Sequence, residues 1–432
     1  MDRKIRVPFK GMSTDGWLKL ILAAVLTFNL INFASPLLKG NWCMSVDFCG
    51  YYGAGQVWNQ EGGLAIYDQD TLWVYQKDLF STMNVSGADD AQIVSMVYLP
   101  VFLFLFRAFA LIPFRVSLLL WYGLNFAALV LYLMFFSRKV SGKKLPWWTL
   151  LWLLAAYPVF RNFYDGQFNL LLLICMGEFL RATTSDKPIW SGVWLGGWLL
   201  KPQLLILILP FLLIQKKYKA LLGFIISSIV LASLSFLLVG WEGLLGLKDV
   251  IFASAGGGAN SHPEYMMNWR TVGLFVSLLS TPALGQVILW SGSIVTALIP
   301  LYVFRKKLPS DSPMFIIGVL GIVAATITAS YHTHLHTAII LIPIVLYLFL
   351  RGFLDQKVLQ TWVLIPFVSL ILVYVVGIFT GPETESATLV LWVMLIHCLM
   401  MLGASLYLVG WSAAQKKTEL IDLPERQIES NP

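Results

Sequence analysis

The chain has 432 residues, of which 58% are hydrophobic and 12% are charged, against about a quarter charged in a soluble domain. A mean hydropathy of +0.75 and apolar runs along nearly the whole length exclude an ordinary soluble protein and predict an all-α polytopic membrane protein. The net charge of +7 then reads as an orientation signal rather than a surface for nucleic acid.

In chain order, Arg3, Lys4, Arg6 and Lys10 precede Trp17, which marks an interface. The first span covers about 18–38 and reads as an uncleaved anchor, since no small-residue cleavage site ends it. A long outer loop follows over 39–114. In it Asp47 opens a helix with Tyr51, Gly55 and Trp58 at helical spacing, which breaks at Gly62-Gly63 and closes in Tyr67-Asp68. The apolar run 97–114 is interrupted by Pro100, Arg107 and Pro113, which leaves stretches too short to cross and predicts a helix at the membrane surface. Further spans are predicted over about 115–136, 146–160, 167–181, 189–200, 203–215, 220–240, 283–304, 313–330, 336–350, 359–379 and 389–411, twelve in all with both termini inside. Residues 270–280 predict a second surface helix. The domain reading is one transmembrane unit over 1–414 and a cytoplasmic polar tail over 415–432.

The charges support this arrangement. On it, 22 of the 30 lysines and arginines and 10 of the 23 acids fall inside, which makes the inner side +12 and the outer side −5, a strong positive-inside bias. Cys175 and Cys398 lie in apolar runs as packing residues. Cys43 and Cys49 flank Asp47; a disulfide in an oxidising compartment and two free thiols both fit them. No metal-binding CxxC, Walker loop or dinucleotide fingerprint is present.

The polar residues that packing explains poorly all fall on the outer side: Asp47; Arg161, Asp165, Gln167 and Asn169; Lys201; His262, Asn268 and Arg270; and His332, His334 and His336. Asp47 fits an N-cap as well as a base. RNFYDGQFN (161–169) fits a polar turn, Lys201 a snorkelling lysine, and MMNWR (266–270) a helix start. As a helix, YHTHLH would put only His332 and His336 on one face. With no carboxylate partner in view, those histidines suit hydrogen bonds to a head group or sugar better than a metal.

In order, DFCGYYGAGQVW followed by GGLAIYD, then YLPVFLFLFRAFALIPF, YDGQFNLLLL, LGGWLLKPQLLILILPFLL and MMNWRTVGLF cover roughly 45 to 280. This ordered set resembles glycosyltransferase family 87, the polyprenol-phosphate-mannose-dependent mannosyltransferases of the C-type superfamily. The C-terminal third matches loosely, and the spacing in YHTHLH departs from the His-containing outer motif of relatives. The resemblance implies a C-type glycosyltransferase fold with surface helices in the first outer loop and a catalytic Asp there, which falls on Asp47. It implies an inverting hexosyltransferase of the cell envelope, in the plasma membrane with its site on the outer face, using no cofactor and no metal. Its donor would be a polyprenyl-phosphate sugar, mannose by default, and its acceptor a hydroxyl of a glycolipid or polysaccharide. Asp47 would take the acceptor proton. Lys201, Arg270 and Arg161, in that order, would neutralise the leaving phosphate. Asn268, Asp165, Gln167, Asn169, His332, His334 and His336 would bind donor or substrate, and Tyr51, Tyr52 and Trp58 would stack on sugar rings. The alternative is a twelve-span secondary transporter, whose site would lie near the midplane at a broken helix such as Lys201-Pro202. An assembly partner without catalysis is the third reading. Long outer loops, a one-sided polar set and the lack of a visible repeat favour the transferase.

Cysteine labelling from outside should reach positions in 60–90 and 255–265 and miss 139–144 and 305–307. Outside labelling of Lys139→Cys would mean that 97–114 crosses the membrane.

Overall fold

The computed structural model describes residues 13–42, 46–83, 93–255, 266–380 and 387–422. Among these residues the protein is helical throughout, with one isolated bridge between Met266 and His334. His262 and Cys43, and with Cys43 any pairing to Cys49, lie outside the described residues.

Helix α1 (Thr14–Leu38) is capped by Ser13, whose Oγ accepts from the Gly16 amide at 3.2 Å. After α1 the chain folds into a layer of α2 (Val46–Gln60), a 3-10 turn (Gly63–Tyr67) and α3 (Gln69–Thr82). Asp68 caps α3, accepting from the Asp70 amide at 3.2 Å and the Thr71 hydroxyl at 2.7 Å. As its prolines require, the 97–114 run forms only two single turns, α4 (Pro100–Leu103) and α5 (Phe106–Phe109). They lie against α2, where a side chain at Gly55 would strike the Phe106 carbonyl.

Helix α6 (Phe114–Ser141) crosses next and ends at Gly142, whose φ of +71° closes a helix at no steric cost. The expected span 146–160 is not one helix. It divides into α7 (Trp147–Ala155) and α8 (Tyr157–Tyr164), because Ala156 is extended ahead of Pro158 in the first turn of α8. Then follow α9 (Leu170–Thr184), α10 (Pro188–Gly196) and α11 (Leu205–Ile214). Short 3-10 turns, Gly197–Leu200 and Pro202–Leu204, sit on either side of Lys201 between α10 and α11. The span expected at 220–240 continues as α12 (Tyr218–Ala255), bent at Gly240, where φ is +66° and ψ −167°. Beyond the bend it lies on the α2–α3 layer: Gly243 packs by Leu64 and Gly246 by Tyr67.

Helix α13 (Trp269–Leu279) covers the stretch expected as a second surface helix. It packs antiparallel along α14 (Pro282–Val303), with Ser277 at Gly285, Gly273 at Leu289 and Trp269 at Gly292. Small residues let the two backbones approach. Helix α15 (Pro313–Ala329) precedes a 3-10 turn (Leu335–Leu341), so the 336–350 span begins as a 3-10 turn before α16 (Ile342–Leu350). Helices α17 (Gln356–Thr380) and α18 (Ala387–Asp422) complete the order, and α18 runs through the expected tail boundary to Asp422.

Among the described residues five helices are long and apolar enough to cross a membrane: Thr14–Leu38, Phe114–Ser141, Tyr218–Ser254, Pro282–Val303 and Leu395–Thr418. With the shorter apolar helices beside them, they make a multi-pass membrane protein. Every residue of α15 from Phe315 to Thr328 is buried. A helix apolar all round belongs at the centre of the bundle. Helices α1, α12 and α14 stand outside it and expose Ile31, Ile229, Leu237 and Val287.

At Gly240 any side chain would be forced into a backbone region open to glycine alone. Gly240→Ala should lower stability by about 1–3 kcal/mol, read as a lower melting midpoint in detergent. Gly410→Ala, exposed within α18 and with nothing near its added carbon, should be neutral or stabilising by about 0.5–1 kcal/mol.

Candidate active site

Three interruptions of helices bring the polar groups together. The first ends α8. Gly166 takes φ +71°, its amide donates to Phe163 O at 3.0 Å, and the Gln167 amide donates to Asn162 O at 2.9 Å. This is a Schellman turn, which needs glycine at its left-handed position and turns the chain between Asp165 and Gln167. The second is at Lys201, which Pro202 excludes from helical geometry; its φ of −138° and ψ of 79° leave the lysine in the break. The third is the 3-10 turn that carries His336. Asp47 comes from the first turn of α2, where the helix dipole favours an anion.

Gln167 joins these pieces. Its Nε2 donates to Asp47 Oδ2 at 2.6 Å. Its Oε1 accepts from the Tyr51 hydroxyl at 3.2 Å and from Lys201 Nζ at 3.4 Å. Lys201 Nζ also lies 3.1 Å from His336 Nε2. An ammonium can only donate, so Nε2 accepts, and the ring proton sits on Nδ1. Nδ1 then donates to Asp165 Oδ2 at 3.0 Å. Arg161 Nη2 donates to the other Asp165 oxygen at 2.6 Å. One hydrogen-bonded chain thus runs Asp47, Gln167, Lys201, His336, Asp165, Arg161.

Burial and the Asp165 charge push the Asp47 carboxyl up to about 7, against the opposing pull of Gln167, Lys201 and Arg161. Burial also raises Asp165, with Arg161 opposing. Lys201 is buried and held below the ordinary lysine value by desolvation, although both carboxylates favour its charge. A carboxyl poised near neutrality beside a buried cation suits acid–base chemistry on an anionic substrate.

Asp47, Asp165 and His336 place three ligand-type atoms within 4.8 Å of one another. His336 therefore has the carboxylate partner that was not apparent from the sequence. The same atoms already serve Arg161 and Lys201, so a divalent cation would have to sit against two fixed positive charges. Around them, both side-chain amide atoms of Asn169 and the Thr333 hydroxyl are buried with no protein partner, as suits a place meant for a polar ligand or water.

Other expected residues fall elsewhere. Tyr51 reaches the chain through its hydroxyl, which also meets that of Tyr98 at 3.1 Å, while its ring is packed on Phe106 and Phe168. Tyr52 donates to Ile112 O at 2.8 Å and packs on Phe114; Trp58 is buried against Phe104. Stacking of these three rings on a sugar is corrected to packing, because their faces are taken. Asn268 is a wholly buried cap of α13, accepting from the Arg270 amide at 3.1 Å and donating to Ser330 O at 2.9 Å. Arg270 lies over the Tyr331 ring at 4.1 Å. The 331–334 stretch is not helical: His334 bridges to Met266, and the His332 and His334 rings are 4.9 Å apart. Tyr98 was missed in the sequence, where it is one more aromatic residue leading an apolar run.

Compared with known proteins, the sequence model of glycosyltransferase family 87 matches residues 97–328, more than half of the chain. No curated protein and no solved structure matches.

Asp165→Asn should leave Arg161, partly exposed, without its anion at a cost of about 1–3 kcal/mol, seen as a lower melting midpoint. Asp47→Asn removes a carboxyl that burial already disfavours as an anion and should melt like the parent.

Proposed function

Because the chain belongs to glycosyltransferase family 87, we propose that this membrane glycosyltransferase is an inverting enzyme that uses a polyprenyl-phosphate sugar. Mannose is the family default. The acceptor is a hydroxyl of a glycolipid or polysaccharide on the outer face. The observation that carries this reading is the pairing of Asp47 and Lys201 on opposite ends of one Gln167 amide. It supplies a carboxylate base and a cation in the same buried place without joining them as an ion pair.

In this reading the acceptor hydroxyl gives its proton to Asp47 as its oxygen attacks the anomeric carbon. The bond to the lipid phosphate breaks, and the phosphate leaves as an anion. Lys201 and Arg161 stabilise that developing charge, each already oriented by His336 or Asp165. Asn169 and Thr333 offer unpaired polar atoms to the sugar or phosphate. Arg270, His332 and His334 complete the proposed binding set for donor and acceptor. The twelve-span topology and the C-type fold belong to this proposal, as does the division at residue 414.

Purified protein should transfer sugar from a polyprenyl phosphate without nucleotide sugar and in the presence of a chelator. Strict dependence on a nucleotide sugar would remove the donor assignment, and strict dependence on a metal would make Asp47, Asp165 and His336 its ligands. Asp47→Asn should lose on the order of 10²-fold or more in turnover while keeping donor binding. Lys201→Met should weaken donor binding as well as slow transfer.

A base works unprotonated, and the Asp47 carboxyl is raised to about 7. kcat/KM should therefore fall about tenfold per unit below that pH, and should fall again at higher pH as Lys201, lowered by burial to about 8, loses the charge that steadies the leaving phosphate. Near-parental turnover in a well-folded Asp47→Asn protein would refute the mechanism.

A further inference from the structure

At the far ends of α11, α14 and α15 from the Asp47 chain, two turns bring six cations together. Lys216, Lys217 and Lys219 lie at the junction of α11 and α12, and Arg305, Lys306 and Lys307 between α14 and α15. Helix α15 alone puts about 25 Å between this face and the candidate active site.

The two turns are distant in sequence and are clamped by Gln215, which is wholly buried. Its Nε2 donates to the Phe304 and Lys306 carbonyls, the latter at 3.0 Å, and its Oε1 accepts from the Leu308 amide at 2.8 Å. Lys217 crosses the same gap, donating to Leu308 O at 2.8 Å and Ser310 Oγ at 2.7 Å. Lys307 bears on Lys217 as a like charge, with Asp311 opposing it. Lys216 has a φ of +54°, a left-handed conformation that L residues avoid. Arg305 folds over the Tyr302 ring at 3.9 Å. Lys216, Lys219, Lys306 and Lys307 are left exposed.

Membrane topology alone accounts for positive charge near the ends of spans. It does not call for two remote turns locked by a buried amide, nor for a lysine held in a left-handed conformation next to one that faces a like charge across the gap. An anion between the turns would answer both. The flanking surface says what kind: Tyr218 and Tyr302 are exposed beside the cations, and Leu213 and Leu222 are exposed further along their helices. Rings at head-group level above aliphatic side chains match a molecule with a charged head and acyl tails.

We propose that this face binds an acidic phospholipid, with the phosphate among Lys216, Lys219, Lys306 and Lys307 and the acyl chains along Leu213 and Leu222. The site is independent of the transfer chemistry.

The test uses the full chain in detergent, titrated with phosphatidylglycerol, with phosphatidylcholine of the same chains, or with glycerol phosphate, and followed by native mass spectrometry and thermal unfolding. Phosphatidylglycerol should be retained at least about tenfold better than phosphatidylcholine, a difference that corresponds to about 1.4 kcal/mol, and should raise the melting midpoint. Glycerol phosphate at the same concentration should do neither. The triple variant Lys216→Gln/Lys306→Gln/Lys307→Gln should melt like the parent in phosphatidylcholine and lose the preference. Equal retention of the two lipids by the parent, or an undiminished preference in the variant, overturns the proposal. Equal stabilisation by glycerol phosphate replaces the lipid with a soluble phosphate. If the triple variant does not fold, the lipid comparison on the parent still decides.

Discussion

The amide of Gln167 is the interaction on which the rest of the site depends. It offers its N–H to Asp47 and its carbonyl to Lys201, so a neutral dipole lies between opposite charges in a place from which water is largely excluded. Direct contact would let the low dielectric bind the two ions tightly, and each would lose its freedom to act on a third molecule. The spacer keeps both available. It works only because its backbone is immobile, and that immobility comes from the Schellman turn around Gly166. Lys201 has a matching constraint in Pro202, and Asp165 is gripped by Arg161 and His336 at once.

A common rule lies behind these arrangements. An intact helix in a bilayer uses all its backbone groups on itself and presents little chemistry. Here the reactive side chains come from places where helices stop: the end of α8, the gap between α10 and α11, and the 3-10 turn before α16. The fully buried column of α15 gives these loose ends something rigid to stand against. The α2–α3 layer covers them from the other side, with the aromatic cluster of Phe48, Phe106, Phe109 and Trp121 packed under Asp47's helix.

Much of this was legible in the sequence because charge in apolar surroundings is conspicuous. Asp47, the 161–169 turn and Lys201 stood out for that reason, and Pro100 and Pro113 were enough to read the 97–114 run as broken. The family assignment rested on the same pieces. The joining of Asp165 to His336 was not legible, since 171 residues separate them and no local pattern records which loops meet. The engagement of Tyr52 and Asn268 was not legible either, because residue type does not reveal whether a ring or an amide is already engaged. The docking of α13 on α14 was not legible for a related reason: the glycines and serines that bring the two helices together look like any other small residues until the partner helix is known.

The site also has an order of manufacture. Asp47 leaves the ribosome early, but the groups around it lie at 161–167, at 201 and at 336. The layer that carries Asp47 is itself held by the upper half of α12, through Leu64 at Gly243 and Tyr67 at Gly246. A nascent chain inserting vectorially therefore holds its acid unsupported for most of its synthesis. No fragment that ends before His336 contains the whole chain of contacts.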